Sequence, residues 1–154
     1  MVGRYAAGAA AIVLAAGLAG CAADMAGAPA SKPVSAAYQT LPADGLVGRW
    51  GMASYRVEKD RPRTIAMARS QCKNAYVIAK GPTDGVMMHV ADDPKLHELA
   101  LKKGSDGKTY LGFETPPGDR NDREVTMSGA NEMTMKFLDP DINQRYGTFV
   151  YVRC

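Results

Sequence analysis

Histidine, tryptophan and cysteine are all scarce in this chain of 154 residues, which has two His, one Trp and three Cys. So few imidazoles leave little for general acid–base catalysis or for a His-rich metal centre. Neither Cys72 nor Cys154 has a His near it in sequence, and G-x-S-x-G, H-E-x-x-H and G-x-G-x-x-G are all missing. An excess of one charge is missing too. Nineteen Lys and Arg stand against 16 Asp and Glu, a net charge of +3, interspersed as in Glu58-Lys59-Asp60-Arg61. That balance makes no electrostatic footprint for nucleic acid. The sequence therefore implies no cofactor, no nucleic-acid partner and no enzyme.

What is present begins with a leader. Arg4 precedes an uncharged run of small and apolar residues over 6–18. A bilayer-spanning helix needs about 20 apolar residues, and this run is shorter. Its position and flanks fit a signal peptide over 1–20. A mature transmembrane helix is the alternative, and no later apolar segment would replace it. Directly after the run stands Leu18-Ala19-Gly20-Cys21. This resembles the lipobox of bacterial lipoproteins. The resemblance implies cleavage before Cys21 and acylation of its thiol, for example by palmitate. Two or three acyl chains hold a protein on a membrane stably, at about 0.8 kcal/mol per buried methylene. Ala22 follows, not Asp, which by the same resemblance favours the outer membrane of the cell envelope, with the protein facing the periplasm.

Export places Cys72 and Cys154 in an oxidising compartment, where a pair of thiols forms a disulfide. Such a bridge would close a loop of about 80 residues and stabilise by roughly 4 kcal/mol in the chain-entropy model. A catalytic thiol and an intermolecular bridge are the alternatives.

Residues 22–45 are rich in Ala, Pro, Ser and Gly without an apolar period, which reads as a disordered leash. About 24 such residues reach roughly 25–30 Å. The folded domain is expected over 46–154. Strand-like runs are expected over 46–57, 75–80, 86–91, 108–113, 123–128, 132–138 and 146–153. The run 96–102 fits a strand or a helical turn. Turn chemistry separates them, as in Gly81-Pro82-Thr83-Asp84-Gly85 and Gly104-Ser105-Asp106-Gly107. In 132–138, Met133, Met135 and Phe137 alternate with Glu132, Thr134 and Lys136, the period of a half-buried strand. A short helix is expected over 62–71, with Pro62 in its first turn and Ile65 and Ala68 inward. About eight short strands with turns between neighbours predict an all-β fold, a small antiparallel meander closed into a barrel. An interior of that size holds side chains or one small ligand.

Gly48-Arg49-Trp50 resembles the Gly-x-Trp at the first strand of lipocalins and related calycins. In that family the Trp plugs one barrel end and a late Arg packs over the indole. The resemblance implies a lipocalin-like barrel with Trp50 as plug and Arg153 over it, a cation–π contact of about 0.5–2 kcal/mol. The alternative is a core Trp in another β fold.

Three further patterns suggest sites and fail on inspection. Met87-Met88-His89 with Asp92, Asp93 and His97 offers soft ligands, but adjacent strand residues point to opposite faces. Asp139-Pro140-Asp141-Ile142-Asn143 begins like a calcium loop, yet the sixth and twelfth positions are Gln144 and Val150, where Gly and Glu are needed; it reads as a polar turn. Gly104–109 ends like a phosphate loop, but Lys102 occupies the place of its first Gly.

The sequence thus points to a non-catalytic lipoprotein whose barrel binds a small apolar ligand or an envelope protein. The plan is also similar to that of periplasmic protease-inhibitor lipoproteins, which combine a small barrel, one disulfide and a flexible N-terminal segment. No residue carries over from that likeness. An envelope enzyme would need titrating side chains clustered in a cleft.

Overall fold

The computed structural model describes residues 41–154; the leader, the lipobox and Cys21 lie outside the described residues. Eight strands follow in order: β1 Gly48–Tyr55, β2 Tyr76–Lys80, β3 Val86–His89, β4 Leu96–Lys103, β5 Thr109–Gly112, β6 Arg123–Met127, β7 Glu132–Phe137 and β8 Thr148–Arg153. Each pairs antiparallel with the next, and β8 returns to β1, so the meander closes into a barrel. Closure leaves no unpaired strand edge. The run from residue 96, open between strand and helix on the sequence, is β4.

Period-two alternation decides which side chains fill the interior. Met133, Met135 and Phe137 of β7 are buried, while Lys136 between them is exposed. Trp50, Ile78, Met88, Leu99, Leu111 and Met133 meet inside, each at most 1% exposed. β8 is apolar on both faces because both are covered. Phe149 and Tyr151 join the interior, whereas Val150 and Val152 pack outward with Ala68.

Ala68 belongs to α1 (Arg61–Ser70), which lies across the outside of β1 and β8. Pro62 sits in its first turn, and the buried residues are Thr64 and Ala68, with Ile65 packed beside them. The helix comes very close to β1 at Gly51, where an added Cβ would stand 1.9 Å from the Ala68 carbonyl oxygen. Only glycine fits there. Past α1, a 3₁₀ turn over Gln71–Asn74 carries Cys72, which is bonded to Cys154 at the end of β8 with a Cα–Cα distance of 5.5 Å. The bridge spans 82 residues and ties the helical layer to the chain terminus.

Two segments differ from expectation. The polar turn expected at 139–143 opens a second helix, α2 (Pro140–Tyr146). The Asp139 carboxylate accepts from the backbone N–H groups of Asp141 and Ile142, Pro140 needs no acceptor at the first position, and Gly147 at φ +75° ends the helix. α2 also takes Tyr146, the first residue of the run expected over 146–153, and Gly147 caps it, so β8 begins at Thr148. Residues 41–45, read from composition as the last part of the leash, are folded: Ala43–Gly45 forms a 3₁₀ turn, and Leu41 and Ala43 pack on the interior core.

Candidate functional site

The two ends of the barrel are built differently. At one end, Trp50 is fully buried and its Nε1 donates to the Leu46 carbonyl at 2.8 Å. Arg153 is its direct partner across the β1–β8 ladder, and the guanidinium carbon stands 4.2 Å from the indole centroid. The same guanidinium donates to the carbonyls of Gly45 at 2.8 Å, Val47 at 3.1 Å and Ala130 at 3.2 Å. Gly48 explains itself here: its φ is +145°, and a Cβ would lie 2.6 Å from an Arg153 nitrogen. The indole, the fork and the 41–47 segment together plug this end.

The other end is open. A pocket of about 190 Å³ lies at this mouth, walled by Met52, Tyr76, Phe137, Phe149 and Tyr151 and rimmed by 89–92 and Tyr146. Its aromatic rings touch in a chain, with centroids of Phe137–Phe149, Phe149–Tyr151 and Tyr151–Tyr76 6.0–6.2 Å apart. A buried apolar cavity of roughly 150 Å³ is enough to admit a molecule such as benzene. The rim is clasped: Asp92 on the β3–β4 loop accepts from both terminal nitrogens of Arg145, at 3.1 and 2.7 Å, and from the Tyr146 hydroxyl. The Tyr146 hydrogen bond and the Arg145 guanidinium hold the Asp92 carboxyl below the usual carboxylate range. Beside the clasp, the Tyr76 hydroxyl accepts from the His89 backbone N–H at 3.0 Å and shares a 3.2 Å bond with its Nδ1.

Besides Asp92 at the rim, a buried cation lines this pocket. Arg123 opens β6 and is only 5% exposed. It packs over Phe137, its cross-strand partner, at 4.8 Å from the ring centroid. One terminal nitrogen donates to the His89 carbonyl. No carboxylate pairs with it among the described residues. Burial pushes its guanidinium down from the ordinary arginine value, and the Tyr151 and Tyr76 hydroxyls push the other way. Burial likewise pushes the Tyr151 phenol up, so that hydroxyl stays protonated and able to donate. The sequence signal for Arg123 is its position: it alternates with Val125 and Met127, which places a cation on the inward row of β6.

The other residues singled out on the sequence are not brought together. Met88 is fully buried in the interior while His89 is exposed at the rim, and His97 hydrogen-bonds Asp93 at 2.8 Å. No group of three His, Cys, Asp or Glu among the described residues could hold a metal ion. Asp139–Asn143 caps and starts α2, and Gly104–Gly107 turns β4 into β5, with the Asp106 carboxylate accepting from the Lys108 N–H at 3.0 Å. Glu98 and Asp122 serve separate loops. Glu98 accepts from the N–H groups of Thr83 and Gly85 at 2.7 and 2.9 Å. Asp122, fully buried, takes Lys102 Nζ at 2.6 Å and the Gly118 N–H at 2.9 Å, which holds the 113–122 loop against the barrel wall.

Searches against protein-family models, curated proteins and solved structures find no match to this chain.

Proposed function

We propose that this protein is a non-catalytic binding module, leashed by an acylated Cys21 to an envelope membrane, with the outer membrane as its seat, and facing the periplasm. The observation that carries the binding half is the asymmetry of the barrel. One end is sealed by Trp50 and Arg153, and the other opens on an aromatic pocket of about 190 Å³. A plugged cup with apolar walls suits a small, mainly apolar ligand. The titratable groups at the mouth are committed to one another, Asp92 to Arg145 and Tyr146 and His89 to the Tyr76 hydroxyl. That favours binding over catalysis.

The leash reading rests on Leu18-Ala19-Gly20-Cys21 behind the apolar leader. It agrees with where the chain enters the fold. Leu41 and Ala43 pack at the plugged end, away from the mouth.

Two measurements test the proposal. Mass spectrometry of protein taken from its native envelope should find the chain beginning at a multiply acylated Cys21; an intact Met1 or an unmodified Cys21 thiol would remove the leash. Titration of the protein with benzyl alcohol, followed by nuclear magnetic resonance, should give a saturable isotherm with one site. No isotherm up to millimolar concentrations would remove the binding function.

A further inference from the structure

Arg123 is a buried cation without an anion. Burying a charge is costly unless it is paired, and buried Lys and Arg side chains normally meet a carboxylate or a dense set of acceptors. Here a side chain only 5% exposed has one carbonyl acceptor, that of His89, and the face of Phe137. A guanidinium carries five N–H donors in a planar fork. The carbonyl takes one and the ring face takes none directly. The acids near the mouth are committed elsewhere. Asp92, which lines the same pocket, is held by Arg145 and Tyr146, and Asp139 is held by Arg120 and the α2 cap. Glu124, next in sequence, turns outward to Lys108 at 2.8 Å.

The groups around the unfilled donors fit one kind of guest. The Tyr151 hydroxyl, in the same pocket wall, has no hydrogen-bond partner among the described residues. Met52, Phe137 and Phe149 of the remaining wall offer apolar contact, and the hydroxyl of Tyr76 is already engaged by His89. We infer that the mouth pocket takes a small organic monoanion: a carboxylate on the Arg123 fork, within reach of the Tyr151 hydroxyl, carrying an apolar body of one ring or a short chain among the aromatic walls. One buried positive charge calls for one negative charge. The filled interior beneath, with Met133 and Met135 fully buried, limits the apolar body to about the size of a ring. The inference rests on the binding reading of the same pocket and adds the charge and size of the ligand.

The experiment compares two ligands of nearly one shape, benzoate and benzyl alcohol, on the intact protein and on Arg123→Met and Arg123→Lys. A charge-assisted hydrogen bond to a desolvated guanidinium should favour benzoate by about tenfold or more. In Arg123→Met the ratio of the two affinities should fall to about one. Arg123→Lys should keep part of the preference, because the charge remains and the fork does not. Equal affinity of the intact protein for the two ligands would overturn the anion inference and leave the binding reading standing. Binding of neither would overturn both. A benzoate preference undiminished in Arg123→Met, with near-ultraviolet circular dichroism showing a native fold, would also overturn it. Should Arg123→Met fail to fold, the intact protein and Arg123→Lys decide by the same ratio.

Discussion

The single side chains that shape the two ends of the barrel differ in how visible they are in the sequence. Trp50 and Arg153 are legible because a short motif and a terminal strand point to each other, and the ladder does place them side by side. Arg123 is legible only through its parity with Val125 and Met127, a signal weak enough to be overlooked in a five-residue strand. Asp92 is not legible at all, since its partners Arg145 and Tyr146 are more than 50 positions away. Its titration is a test at this scale. Hydrogen bonding from Tyr146, then Arg145, lowers the folded-state value. A depressed carboxylate stabilises above its unfolded value of about 3.9 and loses that contribution as pH falls through the folded one. The clasp should therefore be unchanged between neutral pH and about pH 5 and open only in stronger acid. Tyr146 ring resonances followed against pH should move below about pH 4. Asp92→Asn should show the opened position already at pH 7. A midpoint above pH 5 would contradict the assignment.

At the scale of elements, strand parity and turn chemistry were sufficient for seven of the eight strands, while β4 stayed open between strand and helical turn until the closed meander placed it between β3 and β5. α2 was missed because seven residues show too little apolar period, while its caps were readable: Asp139 before Pro140, and Gly147 after Tyr146. The N-terminal plug was missed for the opposite reason. Residues 41–45 have the composition of a linker, and only Leu41 and Leu46 betray the contact with the core. The cap carries a prediction. Asp139→Ala removes the acceptor of two backbone N–H groups and the partner of Arg120. It should cost about 1–2 kcal/mol in chemical denaturation, and Tyr146 should loosen with it, since α2 delivers that ring to the rim. Unchanged stability together with an unchanged Tyr146 environment would contradict the role given to the cap.

For the molecule as a whole, a plugged barrel stapled by Cys72–Cys154 gives a cup whose described chain begins at the sealed end. An 82-residue span closed by one bond restricts the unfolded chain by about 4–5 kcal/mol in the chain-entropy model. That suits a small domain with a modest core. The architecture was readable from patterning, but the pocket was not, because a cavity depends on how side chains from seven different segments fail to meet. Its location is what the functional account stands on. The most direct test labels the methionine methyl groups with ¹³C and titrates benzyl alcohol into the protein. Met52 lines the mouth, whereas Met127 sits toward the plugged end. The Met52 resonance should move saturably while that of Met127 stays in place; equal movement of both, or movement of neither, would contradict a binding site at the mouth.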